Sequence, residues 1–257
     1  MADPDLVALA HRSFADCFRK TVEHIPEGRT LERDGLLGFF SGLADSELNG
    51  LIVTGAAAES GLGEALDWIA GQAGPYTVWI AEPLVATLGE ACVDRGLSRR
   101  PWAMPGMVLA PVPPAPDPAP GLSVATVTDA AYEEHLATWA EAGLPDEIGR
   151  RLMSPDFLHD PEVRLFTGFL EGRPAGVAVA MRTGATSGIV GVGTLRSARR
   201  RGVGAAVTWA AVEAGRSWGA EAVVLQLTEM GLPLYLSMGF RPVVGYALFT
   251  AECAGDG

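Results

Sequence analysis

The stretch Ile189–Gly219, IVGVGTLRSARRRGVGAAVTWAAVEAGRSWG, decides how this sequence is read. It opens as an apolar, glycine-interrupted run that predicts a buried strand over Gly188–Leu195. It then turns through three arginines and continues as an alanine-rich helix from Val203 to Trp218. Gly202 and Gly204 carry no β-carbon, so the backbone there can approach a bulky anion, and the amides of the helix's first turn point at it. Those amides and the positive end of the helix dipole favour phosphate, and Arg199, Arg200 and Arg201 add full charge beside them. Three cations at a helix start oppose the dipole at roughly 0.3–1 kcal/mol each when exposed, and a bound polyanion supplies the reason for them. Taken alone, the loop also admits a plainer reading, with solvated arginines and glycines that merely permit close packing. It is not a Walker loop, which needs G-x-x-x-x-G-K-[ST]. Nor is it a dinucleotide fingerprint, because Val207 stands where the third glycine would be.

Downstream of this stretch, AVVLQL (Ala222–Leu227) predicts a strand, Leu232–Met238 a short helix and Phe240–Phe249 a last strand. Upstream, LSVATV (Leu122–Val127) reads as a strand, and Ala130–Ala142 and Asp146–Met153 as helices divided by a break at Gly143–Pro145. A hairpin follows, with strands VRLFTGFL (Val163–Leu170) and AGVAVAMRT (Ala175–Thr183) joined by the turn residues Glu171–Pro174. Before all of these lies PVPPAPDPAPG, Pro111–Gly121, with six prolines in eleven residues, which reads as an extended linker.

The residues ahead of the linker predict a helix over Asp5–Arg19 and strands over Leu36–Phe40 and Leu48–Thr54. A helix Leu62–Gln72, a strand YTVWIA (Tyr76–Ala81), a helix Leu84–Arg95 stopped by Gly96 and a strand Met107–Ala110 follow. The fold class is therefore α/β with a mixed sheet, divided into residues 1–110, a linker 111–121 and a second unit 122–250. In the first unit, GAAAESGLGEAL (Gly55–Leu66) has no positive side chain to balance a phosphate and reads as a helix start with Ser60 as its cap.

Composition narrows the classes. Apolar residues make up 48% of the 257-residue chain and charged ones 19%, as in an ordinary globular protein. The net charge of −12 argues against non-specific nucleic-acid binding; it agrees with a cationic substrate, but an acidic surface more commonly serves solubility. Cys17, Cys92 and Cys253 lie far apart, without metal-ligand spacing among themselves or with the four histidines, so neither a disulfide framework nor a metal site is expected. The amino terminus begins with acids and has no long apolar run, giving the expectation of a cytoplasmic protein without membrane association.

Arg199-x-x-Gly202-x-Gly204 after a strand is similar to the [Q/R]-x-x-G-x-[G/A] signature of the GNAT N-acetyltransferases. LQLTEMGLPLYLSMGF resembles that family's final motif, with Tyr235 four residues before Gly239-Phe240. The resemblance covers most of Gly121–Phe249. It implies an acyl-coenzyme A N-acyltransferase fold, acetyl-coenzyme A as cosubstrate, no metal, an amine of a small molecule or peptide as acceptor, and a homodimer as the family-level expectation. Backbone groups of Gly193, Thr194 and Leu195 would pair with the pantetheine arm, lying like an extra strand in a gap of the sheet. The cradle Arg199, Arg200, Arg201, Gly202, Val203, Gly204 and Ala205 would hold the pyrophosphate.

By the same resemblance Tyr235 would be the general acid that protonates the departing thiolate. Thr228 takes the place of an asparagine that helps position pantetheine in many members. Family members commonly carry a glutamate base near the loop-bearing strand, but Thr183–Leu195 holds no Asp, Glu or His. The base is then elsewhere or a water chain, with Glu229, Glu171, His159 and His135 as the side-chain candidates. With no cysteine in the recognisable site, direct transfer is expected. The first half looks like a shortened, degenerate GNAT core in a tandem arrangement, with an unrelated α/β lid as the rival reading, and contributes to an acceptor pocket at the interface. Two alternatives stay open: a coenzyme A binding sensor without turnover, and a longer acyl donor.

Overall fold

The computed structural model describes residues 3–251, so Cys253 lies outside the described residues. Helix α1 (Pro4–Glu23) starts where Asp3 accepts a hydrogen bond from the Asp5 amide and Pro4 supplies a preset φ. There follow β1 (Arg29–Arg33), β2 (Leu36–Phe40), β3 (Asn49–Val53), α2 (Leu62–Ala70), β4 (Thr77–Ala81), α3 (Val85–Leu88), α4 (Glu90–Val93), β5 (Leu97–Arg99) and β6 (Met104–Leu109). After the proline segment come β7 (Leu122–Thr126), α5 (Tyr132–Glu141), α6 (Asp146–Leu152), α7 (Pro155–His159), β8 (Val163–Leu170), β9 (Arg173–Thr183) and β10 (Thr186–Thr194). The chain closes with α8 (Val203–Ser217), β11 (Ala222–Gln226), α9 (Leu232–Ser237) and β12 (Arg241–Ala251).

One mixed sheet runs in the order β1-β2-β3-β4-β12-β6-β11-β10-β9-β8-β7, with β5 paired to β12. The two halves exchange their closing strands. β6, from before the linker, pairs antiparallel with β11, and β12, from the end of the chain, lies between β4 and β6. The boundaries at 110 and 121 thus follow the chain, whereas each half's sheet is completed by a strand from the other. The linker must cross from β6 to β7, five strand spacings or about 24 Å. Eleven residues in polyproline geometry reach about 34 Å, which suffices.

Period-two alternation sets the layers. On β10, Ser187 faces Gly215 of α8, while Gly188 faces Cys17 of α1, whose Sγ would lie 2.1 Å from any added β-carbon. Helix α8 therefore covers one face, and α1 and α5 the other. Helix α1 packs on β2 and β12 as well as on β9, β10 and β11, tying the halves together. Its Ser13 hydroxyl bonds Thr183 at 2.9 Å, and its Lys20 reaches Glu162 at 2.7 Å.

Local departures from the sequence reading have physical causes. The expected helix Leu84–Arg95 breaks into α3 and α4 at Gly89, where an added β-carbon would lie 3.1 Å from Phe249 Cζ, so the chain is pressed onto β12. Strand β1, polar and exposed on both faces except at Leu31, carries no period-two signal and forms only as the hairpin partner of β2. Ser60 does not cap α2. It lies in a short 3-10 turn and donates to Ala57 O at 3.3 Å, and α2 begins at Gly61 without a side-chain cap.

Candidate active site

Strand β10 creates the site by parting from its neighbour. Its parallel pairing with β11 runs from Thr186↔Ala222 to Ile189↔Leu225 and stops there, while pairing with β9 continues to Thr194↔Gly176 across a bulge between Val190 and Gly193. Gly191 sits in the bulge with φ 61°, a left-handed conformation that other residues adopt at a cost of about 1–2 kcal/mol. Beyond Ile189, one edge of β10 therefore carries backbone groups with no strand partner.

At the end of that edge lies the arginine-glycine loop. Leu195 donates to Ala175 O, and residues 196–198 form a single 3-10 turn. Arg200 takes φ 62°, uncommon for a residue with a side chain, and Gly202 takes φ 85° as it opens α8. No side chain caps α8, and its first backbone bond of this kind is Ala206 N to Gly202 O at 3.0 Å. The amides of Val203, Gly204 and Ala205 are thus left for an outside acceptor. Arg201 pairs with Glu171 at 2.7 Å, and Arg199 Nε reaches back to Thr194 O at 3.5 Å. The structure therefore brings Gly193, Thr194, Leu195, Arg199, Arg200, Arg201, Gly202, Val203, Gly204 and Ala205 into one continuous edge and loop.

Tyr235 is buried on α9, edge-on to Phe240 at 5.9 Å between ring centres. Burial pushes its phenol up to about 12, and a hydrogen bond with Thr208 of α8 acts in the opposite direction. Thr208 itself donates to Gly204 O in the first turn of α8 at 2.7 Å. Thr228 lies apart, past the end of β11 on the wall of a 240 Å³ cavity that also contains Glu229.

The base candidates separate. Glu171 is held by Arg201, and exposed His159 by Asp129 at 2.7 Å. His135 is fully buried with Nδ1 3.0 Å from Thr167 Oγ1, and burial lowers it to about 4. None of these three lines the large cavity.

That cavity, 640 Å³, opens between the halves where β10 parts from β11. Val190, Gly191 and Gln226 form its floor, and α1, α5, α6 and the loop before β3 form its walls. Two acids on that loop, Asp45 and Glu47, reach it, and sequence reasoning missed both. Their loop is fixed by buried Asn49, whose Oδ1 accepts from Ser41 N at 2.9 Å and whose Nδ2 donates to Leu43 O and Asp45 O. Glu47 is paired with Arg100 at 3.1 Å, whereas Asp45 accepts from the Glu47 amide and has no ion-pair partner among the described residues. The short turn-rich segment SGLADSELN carries no periodicity, and nothing local places it opposite β10. Cys17 also lines the cavity, so a cysteine does stand near the site. Its thiol is buried and pushed up to about 12, which leaves almost no thiolate at neutral pH.

Over residues 125–240 the sequence matches the family model for the acetyltransferase (GNAT) family. The fold is similar to that of a GCN5-related N-acetyltransferase from Kribbella flavida, at 19% identity and TM-score 0.71, covering 95% of this chain and 96% of that one. It also resembles a GCN5-related N-acetyltransferase from Sphaerobacter thermophilus, at 18% identity, TM-score 0.60, and 84% and 80% coverage. A tandem GNAT protein from the clavulanic acid biosynthesis pathway aligns at 16% identity and TM-score 0.58, over 86% of this chain and 79% of its own. Among curated proteins nothing matches. No helix among the described residues is long and apolar enough to cross a membrane, and no group of three or more His, Cys, Asp or Glu there could hold a metal.

Proposed function

We propose, from the match of residues 125–240 to the GNAT acetyltransferase family model, that the protein is a cytoplasmic, acetyl-coenzyme A dependent N-acetyltransferase that transfers directly to an amine held between its two halves. The observation that carries this reading is the opening of β10 from β11 after Ile189, with the uncapped start of α8 at one end and the 640 Å³ cavity beside it. The free edge at Gly193–Leu195 suits an extended amide-bearing arm, which would add like a strand. The amides of Val203, Gly204 and Ala205 and the arginine side chains suit a pyrophosphate.

In the reaction, the neutral amine nitrogen attacks the thioester carbonyl carbon and forms a C–N bond. Its proton passes through water to Asp45, the cavity acid without a cationic partner. As the intermediate collapses, the C–S bond breaks, the electron pair stays on sulfur, and Tyr235 gives that thiolate its proton. A phenol at about 12 is still protonated when the thiolate forms, so it is in the right state to serve as an acid. Cys17 is too poorly ionised to carry the acyl group, which favours direct transfer over a covalent relay.

Calorimetric titration with acetyl-coenzyme A, beside an Arg199→Ala, Gly202→Asp double variant, tests the reading. Saturable binding near 1:1 that the variant loses supports the cradle. Absence of binding at millimolar ligand would reduce the resemblance to ancestry and fold. Binding without turnover on any amine would favour a sensor.

A further inference from the structure

The large cavity has a chemical bias that goes further than the family. Its walls carry the aromatic rings of Phe14, Phe18, Trp79 and Trp139, and among the described residues Asp45 and Glu47 are the only charged ones that line it, with no lysine, arginine or histidine. Phe18 is half-buried and packs against Phe14 and Trp79 with ring centres 5.4 and 5.8 Å apart, so a rigid aromatic wall meets the cavity. Such a wall binds apolar surface and, face-on, cations.

A second, independent feature points to a ligand. Gln226, last residue of β11 and part of the cavity floor, has its side-chain nitrogen buried with no hydrogen-bond partner. A buried donor left without a partner costs free energy, and a bound carbonyl or hydroxyl oxygen would satisfy it.

Resting on the acetyltransferase reading above, we propose that the acceptor is a primary amine on an uncharged, largely apolar or aromatic body, without carboxylate or phosphate. Asp45 attracts the cationic amine, the aromatic wall holds its body, and the unpartnered Gln226 side chain at the floor offers a donor to a polar oxygen. A carboxylate on the acceptor would face Asp45, which has no ion-pair partner among the described residues, while the nearby cation Arg100 is already taken by Glu47. That excludes free amino acids and phosphorylated amines on electrostatic grounds. The overall charge of −12 acts in the same direction on approach.

The test uses the full chain and matched acceptors that differ in one group: 2-phenylethylamine, n-hexylamine and L-phenylalanine. Binding of each is measured by calorimetry with and without coenzyme A, and turnover by thiol release from acetyl-coenzyme A. The expected result is turnover of both amines, with kcat/KM for 2-phenylethylamine at least about 100-fold above that for L-phenylalanine, the size expected for an unpaired buried charge. Leu48→Arg, which adds a cation to a half-buried wall position, should shrink that ratio at least about tenfold while leaving acetyl-coenzyme A affinity unchanged.

L-phenylalanine used as well as 2-phenylethylamine, or acetyl-coenzyme A bound while neither amine binds, overturns the inference and leaves the acetyltransferase reading standing. Amine binding without acetyl-coenzyme A binding retires that reading and upholds the ligand class of the cavity. Failure of both ligands to bind overturns both.

Discussion

Replacing Gly191 with alanine tests the link between one backbone conformation and the whole site. The residue sits at φ 61°, and a β-carbon placed there would lie 2.3 Å from Trp139 Cη2 and 2.7 Å from Cζ3. Two costs follow. The left-handed backbone costs about 1–2 kcal/mol for a residue with a side chain. Displacing a buried indole from a packed position costs about 1–3 kcal/mol more. Stability should fall by roughly 2–5 kcal/mol, within what a domain of typical stability survives. Because Trp139 is both the obstructed ring and part of the acceptor wall, the variant should also raise the acceptor KM well above any change in acetyl-coenzyme A affinity. Urea denaturation with a Gly191→Ala, Trp139→Leu double-mutant cycle separates the terms. The double variant should lose about 1–3 kcal/mol less than the sum of the single changes, because the steric part vanishes and the φ part remains. Additive losses, or an alanine variant as stable as the parent with an unchanged acceptor KM, would refute the bulge as the device that opens the site.

Tyr235→Phe should lower kcat by up to roughly 10²–10⁴ while acetyl-coenzyme A affinity holds, measured by steady-state kinetics beside calorimetry. In the parent, with the phenol at about 12, no alkaline loss of this acid should appear below about pH 10. Glu171→Gln frees Arg201 from an exposed pair worth at most about 1 kcal/mol. Acetyl-coenzyme A should therefore bind up to about fivefold tighter with stability nearly unchanged, and weaker binding would contradict the cradle assignment. His135, lowered by burial from 6.5 to about 4, binds its proton more readily in the unfolded chain. Its contribution is complete above pH 6.5 and falls away towards pH 4, on the order of 3 kcal/mol. Urea midpoints across that range should show the loss in the parent, and His135→Asn should flatten it.

The arginine-glycine side of this candidate site was legible in the sequence because its determinants are local. Close backbone approach at Gly202 and Gly204, the arginines beside them and the strand-turn-helix periodicity all lie within Ile189–Gly219, and the structure places them on one edge and loop. The α/β order was legible for the same reason, since strand and helix periods are properties of short windows. The acceptor side was not. Asp45 and Glu47 reach β10 only because Asn49 pins their loop and α1 fastens the two halves, contacts between residues far apart in the chain. The exchange of β6 and β12 was equally hidden, because a buried strand's apolar pattern states that it will be covered on both faces and leaves its neighbours to be chosen by the sheet as a whole. Local propensity wrote the arginine-glycine loop and its helix; long-range packing decided what stands across from them.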